Sequence, residues 1–318
     1  MNAPLVSVCL VTFNHEMYIR DCVMSVIGQA DDVDLEILIG DDLSEDGTQA
    51  IVEALATQFP SIVRYYRNTA RLGPAGNYLS LIARARGKYI AHLDGDDLWL
   101  PGKLSAQVAY LDQHPDCPAT YTNALTMRDD GASLGLFNNT QQERFNIDYL
   151  AIRGNFLCHS SVLYRATMQT DVLALPAPFI DYRIHLLLAG HGDLGYINET
   201  LAKYRVNSVG SMLIHSNDKV RELYWEALLN IPRSRVSEKA LAGGIAEFGR
   251  SVFFSSLKKR NLSLLFKWFP KVIKCSPVGQ PRMILLMTKA IIRVGAQELM
   301  RTLRSRFSDK YPRILYFR

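Results

Sequence analysis

Residues 88–104 read KYIAHLDGDDLWLPGKL, and the segment changes character half-way along. Tyr89, Ile90, Ala91 and Leu93 suit a buried strand. Three carboxylates follow within four residues, Asp94, Asp96 and Asp97, with only Gly95 between them. Like charges at that spacing repel and raise one another's pKa, so the cluster needs a compensating partner. In an extended chain Asp94 and Asp96 face the same side, because side chains alternate. Gly95 lets the backbone turn or approach a ligand closely.

Working outward, the preceding segments alternate in period. LVSVCLVTF is a continuous apolar run with β-branched residues, and LEILIGDD and IVRYYRN are two further strands. Between them lie helices over 16–28, with Met17, Cys22, Val23, Val26 and Ile27 at helical spacing, and another with Ile51, Val52, Leu55 and Phe59 on one face, which Ser44 and Asp46 can cap. Helices over 74–86 and 102–113 bracket the strand KYIAHLD. Strand and helix repeated in this way predict right-handed crossovers, hence an α/β fold built on an open, mostly parallel sheet flanked by helices. In such sheets ligands bind outside the carboxyl ends of the strands. Thr12 and Phe13 follow the first strand, Asp41 and Asp42 end the second, and the Asp94 cluster ends the fourth. Helix capping accounts for one carboxylate per helix, not for three.

Neither GxGxxG nor GxxxxGK[ST] follows the first strand, where TFNHEMYIR stands instead. This argues against a dinucleotide-binding enzyme and against a P-loop NTPase. A divalent cation on acidic residues is the alternative: Mg²⁺ and Mn²⁺ bridge one or two carboxylates to substrate phosphates. The Asp94–Asp97 cluster is therefore read as an ion cradle for a nucleotide diphosphate.

Taken in order, VSVCLVTFNHEMYI, EILIGDDLSEDGT and YIAHLDGDDLWLPGKL resemble the inverting nucleotide-sugar glycosyltransferases of family 2, with the GT-A fold. NFLCHSSVLYRA, FIDYRIHLLLAGHGDLGYINETLAKYR and SVGS continue the likeness, which spans roughly 4–212. The resemblance implies Mn²⁺ or Mg²⁺ as cofactor and a nucleotide-diphosphate sugar, a UDP-sugar, as donor. By position it implies that Phe13 stacks on the base with Thr12 beside it, and that Asp42 accepts from the uracil ring N–H. Asn77 and Arg71 are the candidates near the diphosphate. Asp94 takes the ribose position and Asp96 the metal-ligand position. Asp181, in PFIDYRIHLL, takes the position of the catalytic base, across the sugar from the metal. The competing readings are a core aromatic for Phe13, a solvated loop charge for Arg71 and a helix cap for Asp181. Asn207 stands where relatives often carry His, which leaves metal closure open. His159, His185, His191 and His215 match no functional position and read as structural or surface residues.

The acceptor side is less legible. CHSSVLYR is expected to line the acceptor pocket, and a polar loop over roughly 128–148 is expected above the site. The acceptor class implied is a hydroxyl on a glycan or lipid-linked glycan in cell-surface polysaccharide or glycolipid synthesis. The expected division is 1–114 for nucleotide-sugar binding, 115–214 for the acceptor side and 215–318 for a basic helical C-terminal region.

Charge sets that last region apart. Residues 1–214 carry 15 Lys+Arg against 24 Asp+Glu, and residues 215–318 carry 21 against 7, so −9 and +14 make up the formal +5. Phe253, Phe254, Phe266, Trp268 and Phe269 interleave with Lys258, Lys259, Arg260, Lys267, Lys271 and Lys274. Farther on, Arg282, Lys289, Arg293 and Arg304 fall on one side of a helix. A basic stripe beside an apolar face suits an anionic membrane surface. The alternative is a helical cap on the catalytic part. No nucleic-acid-binding motif accompanies the charge, so no nucleic-acid partner is expected. The five cysteines lack CxxC spacing and read as reduced thiols. With no basic segment before PLVSVCLVTF and no run near 20 apolar residues, the expected location is cytoplasmic, peripheral on the membrane face. Two other functions stay open on sequence: a sugar nucleotidyltransferase, and a non-catalytic membrane-attached scaffold.

Overall fold

The computed structural model describes residues 4–206, 217–305 and 313–316. Asn207, Ser208–Ser211 and His215 lie outside the described residues, as does the side chain of Arg304. The chain runs β1 (Val6–Thr12), α1 (Ile19–Ile27), β2 (Leu35–Asp41), α2 (Thr48–Gln58), β3 (Val63–Arg67), α3 (Gly73–Ile82), β4 (Tyr89–Asp94), β5 (Leu98–Trp99) and α4 (Lys103–Gln113). It continues with β6 (Ala119–Met127), β7 (Ser133–Asn138), β8 (Arg144–Phe145), α5 (Ile147–Arg153), β9 (Leu163–Arg165), α6 (Gln169–Leu173), α7 (Asp181–Ala189) and β10 (Leu194–Arg205). Helices α8 (Asn217–Leu229), α9 (Glu238–Lys259), α10 (Ser263–Lys274) and α11 (Gln280–Ser305) and a strand β11 (Arg313–Tyr316) follow.

All strands join one sheet, whose main path is β11-β7-β6-β9-β4-β1-β2-β3, with β10 paired to β5, β6 and β8. Strands β1 to β4 are mutually parallel where they pair. The rest of the sheet mixes directions: β9 runs antiparallel to β4 and β6, while β10 runs parallel to β6. The segment expected as a loop over 128–148 contains two strands, β7 and β8, joined by turns and loop. β7 returns antiparallel on β6, so its polar backbone is satisfied in the sheet.

Period-two alternation splits β1 between two cores. Val6, Val8 and Leu10 face Ile19, Val23, Val52, Leu55, Leu104 and Leu111 of α1, α2 and α4. Cys9 and Val11 face the other core, with Tyr78, Leu81 and Ile82 of α3 and residues of α5 and α7. That second core runs on without a break into the C-terminal helices through Trp225, Leu228, Ile245, Phe248 and Trp268. The approach of α9 to α5 depends on Gly244, where a Cβ would lie 2.3 Å from the Ala151 carbonyl oxygen. Trp268 is the largest side chain of this junction, with ring centroids 5.0 Å from Phe248 and 6.0 Å from Trp225. Trp268→Ala should cost about 3–5 kcal/mol, the usual range for emptying a buried aromatic site, read as a fall in the denaturant midpoint. A change within 1 kcal/mol would mean the helices do not share the core.

Candidate active site

The register levels three strand ends. Thr12 lies opposite Asp41 across β1 and β2, and Val11 lies opposite Asp94 across β1 and β4. Asp41 turns inward: its carboxylate accepts from the Ser44 backbone N–H at 2.7 Å, the Ser44 hydroxyl at 2.6 Å and the Tyr65 hydroxyl at 2.7 Å. Asp42 is buried at the strand end and ties down the loop before α3. Its Oδ1 accepts from Asn68 and from Leu72 N–H at 2.7 Å, and its Oδ2 from Gly73 N–H at 2.9 Å and Arg71 Nε at 3.3 Å. The Arg71 guanidinium lies flat on Phe13, its carbon 3.3 Å from the ring centroid. Phe13 and Arg71 therefore form one stacked rim above Asp42, and neither is a core residue.

Asn77 sits lower. It is 1% exposed, its amide donates to the Gly40 carbonyl at 2.7 Å, and its oxygen accepts from Asn68 at 3.1 Å. Both ends of its amide are committed beneath Asp42, so it supports the rim and leaves neither end for the diphosphate. Ser44 and Asp46 do not occupy the cap position of α2, which is Gly47, although Asp46 accepts from Thr48 N–H at 3.0 Å.

The three carboxylates after β4 separate. Asp94 sits half-exposed at the strand end, with His92 Nε2 3.1 Å from Oδ1 and the Ser160 hydroxyl 3.3 Å from Oδ2. Burial alone would raise its pKa, but His92, His15 and the Ser160 hydroxyl outweigh it and hold the carboxyl below its ordinary value. Asp97 is buried, accepting from the Ser160 hydroxyl at 2.5 Å and from Arg205 N–H at 2.8 Å. Burial, then the charges of Asp96 and Asp94, push it well above the carboxylate range. Asp96 stands between them, partly exposed, its backbone carbonyl accepting from Arg205 Nε at 3.0 Å. A Cβ on Gly95 would lie 2.7 Å from His15 Nδ1 and 2.9 Å from Thr12 Oγ1, so only glycine lets the turn press against the end of β1. Among the described residues no three His, Cys, Asp or Glu side chains converge as a protein-only cage. Mg²⁺ and Mn²⁺ do not require one when substrate phosphates complete the shell. Two rim carboxylates on a tight turn are a donor set that fits such an ion.

Asp181 opens α7. Its Oδ1 accepts from the Asn155 amide and from Tyr182 N–H, each at 2.8 Å. The cap position itself is Ile180. Burial, with a smaller contribution from Asp94, pushes the Asp181 pKa up, against lowering by Asn155, Tyr182 N–H and His92. The charge of Asp94 thus bears on the Asp181 carboxyl, although 87 residues separate them in sequence.

The family model described as glycosyl transferase family 2 matches residues 7–168, just over half of the chain. The chain belongs to glycosyltransferase family 2. An uncharacterised protein of Mycobacterium tuberculosis is 28% identical over 293 residues, covering 88% of this family 2 chain and 82% of that protein. The putative teichuronic acid biosynthesis glycosyltransferase TuaG of Bacillus subtilis is 32% identical over 215 residues, covering 65% and 82%. The GT-A fold is shared with S. aureus TarS 1–349, solved in complex with UDP-GlcNAc, at a TM-score of 0.65 and 17% identity over 90% of this chain and 88% of that one. Membership makes the family 2 chain a glycosyltransferase and sets aside the nucleotidyltransferase and scaffold alternatives.

Several side chains that build this family 2 site escaped the sequence reading. Arg205 ends β10 and clamps the Asp-rich turn, also donating to the Arg128 carbonyl at 2.9 Å and lying over Tyr18. Ser160 joins Asp94 to Asp97, so CHSS packs behind the carboxylates. His92, His159 and His185 form a continuous group between Asp94 and Asp181, with His92 and His185 buried. His191, by contrast, pairs with Asp171 near the surface. The HSS triplet is an ordinary polar run in sequence, and nothing local marks it as a junction.

Proposed function

We propose that this enzyme transfers a sugar with inversion from a UDP-sugar to a hydroxyl of a cell-surface glycan or its lipid-linked precursor. The observation that carries the reading is Asp181, a partly exposed carboxylate with raised pKa on a different element from the Asp94–Asp96 turn yet within reach of its charge. Inversion needs that separation: the acceptor oxygen, giving its proton to the base, attacks the anomeric carbon from the face opposite the departing diphosphate. Phe13 would stack on the uracil ring and Asp42 Oδ2 would accept from its N–H once Arg71 swings from Phe13 and Asp42 to the diphosphate, and Thr12 would line the floor. Asp94 would meet the ribose and Asp96 would hold Mn²⁺ or Mg²⁺. Such an ion supplies charge neutralisation at the departing diphosphate. Asp181 takes the acceptor hydroxyl proton as the glycosidic bond forms, and the nucleotide diphosphate leaves with the bonding electron pair. The UDP-GlcNAc bound to TarS and the teichuronic acid pathway named for TuaG support the donor and acceptor classes.

A panel of nucleotide sugars, each assayed for Mn²⁺-dependent release of nucleotide with and without acceptor, tests this reading. UDP release confined to one UDP-sugar and stimulated by acceptor is expected. Release only from GDP- or dTDP-sugars would overturn the donor assignment.

The C-terminal helices support a membrane-surface location in the same reading. Among the described residues no helix is long and apolar enough to cross a membrane. On α10 the buried face is Leu264, Trp268 and Val272, and Phe266 projects from the opposite side, 79% exposed. Leu262 shares that outer side, flanked by exposed Lys267 and Lys274. An apolar ridge between lysines suits insertion among anionic headgroups. The full chain should co-sediment with vesicles containing phosphatidylglycerol, less in high salt through screening and less as Phe266→Ser. Equal binding to neutral phosphatidylcholine vesicles, or none to either, would leave α8–α11 as a packed cap alone.

A further inference from the structure

Asp181 is held at the end of a polar line that begins at the other side of the site. The Asn155 amide nitrogen donates to Asp181 Oδ1 at 2.8 Å, which leaves the Asn155 oxygen as an acceptor. His185 Nδ1 lies 3.1 Å from that oxygen, so it must carry the proton. With its Nδ1 protonated, neutral His185 offers Nε2 as an acceptor, and His159 Nδ1 lies 3.2 Å away. Every bond then points toward the carboxylate: His159 to His185, His185 to Asn155, Asn155 to Asp181. His159 in turn packs against His92, ring centroids 4.1 Å apart, and His92 Nε2 meets Asp94 Oδ1 at 3.1 Å.

We propose that Asn155 and His185 are positioning residues for transfer, holding Asp181 Oδ1 so that Oδ2 is the oxygen presented to the acceptor hydroxyl, with His159 setting the donor direction of the line. This rests on the assignment of Asp181 as the base. Three features support it beyond the distances. Asp181 Oδ1 takes two donors, from Asn155 and Tyr182, while Oδ2 receives no hydrogen bond described for this residue, the asymmetry a base needs. Asp181 and His185 are four residues apart on α7, so one helical face carries both. Burial pushes His185 down to about 3, and burial followed by the charges of His92 and His185 pushes His159 well down. Both rings stay neutral at working pH, which keeps the His185 Nε2 acceptor and the direction of the line. An amide in the middle does not relay protons, so the line orients Asp181 and does not drain it.

The test compares His185→Phe, which keeps the ring and deletes the Nδ1 donor, with His185→Asn, whose amide nitrogen can stand where Nδ1 stood. Transfer kcat at saturating donor and acceptor, and UDP affinity by calorimetry, are measured for both. Asn155→Ala is the second site of the line, and Asp181→Asn is run in parallel. His185→Phe and Asn155→Ala should each lower kcat roughly 10- to 100-fold, the scale set by misplacing a reacting group by about an ångström. UDP affinity should stay within twofold, and His185→Asn should recover much of the loss. In the Asp181→Asn background His185→Phe should change kcat by less than threefold, because the oriented base is already gone. Equal losses in both backgrounds, no rescue by His185→Asn, or UDP affinity falling with kcat would overturn the positioning role. An active Asp181→Asn would instead overturn the base itself, whatever the histidine variants do. If His185→Phe does not fold, Asn155→Ala in the two backgrounds decides.

Discussion

Asp181→Asn should lower sugar transfer by at least a hundredfold while UDP affinity stays near wild type. General-base assistance is worth about 10²–10⁴-fold, and asparagine cannot take the acceptor's proton. The substitution is gentle on the structure. Its side-chain oxygen can keep both bonds now made to Asp181 Oδ1, from Asn155 and from Tyr182 N–H. What is lost is one negative charge in the first turn of α7, worth about 0.3–1 kcal/mol against the helix dipole. Because Ile180 occupies the cap position, a capping account of Asp181 predicts little change beyond that. Transfer within a few-fold of wild type, at saturating substrates, would remove Asp181 from the mechanism. The pH profile gives a second measurement. Burial and Asp94 raise the Asp181 pKa above its ordinary value, and the base works only when ionised. Transfer should therefore be full on the alkaline side and fall as pH drops through that raised value. An acid limb at the ordinary aspartate value would mean another group is the base.

Asp96→Asn should abolish the Mn²⁺ dependence of UDP binding and reduce turnover by roughly two to three orders of magnitude, the scale on which loss of one electrostatic stabiliser acts. The turn should keep its shape, because Arg205 holds residue 96 by its backbone carbonyl and Asp97 by its own N–H. Asp97 should not substitute for the lost ligand: it is buried against Ser160 and driven toward the protonated form. Calorimetric titration of UDP with and without Mn²⁺ separates the outcomes. An unchanged metal dependence in Asp96→Asn would end the ion-cradle reading, and a lost one with normal turnover would detach the metal from catalysis.

How far these sites were legible follows from the range of the interactions that make them. The continuous apolar runs of β1, β2 and β4 are legible because both faces of a sheet between two helical layers are dry, so every residue registers burial. The Asp94–Asp97 cluster is legible because it is local and follows such a run. Asp181 needed a family resemblance, because nothing in FIDYRIH tells a base from a helix-start carboxylate. The sequence by itself therefore determined the alternating α/β order, the strand ends that meet, and the acidic turn on one of them.

Only the tertiary structure decided what each polar residue does there. Asn77 went beneath the rim when α3 packed against β2, and the same side chain would have read equally well as a ligand contact. Of the three clustered aspartates, Ser160 and Arg205 turned one inward, and they come from 63 and 108 residues away. The line from His159 to Asp181 draws on a turn, a loop and a helix brought together by α5 and β9. Periodicity reports which residues leave water. Hydrogen bonds between side chains depend on where crossovers return the chain, and that path is not written in any one segment.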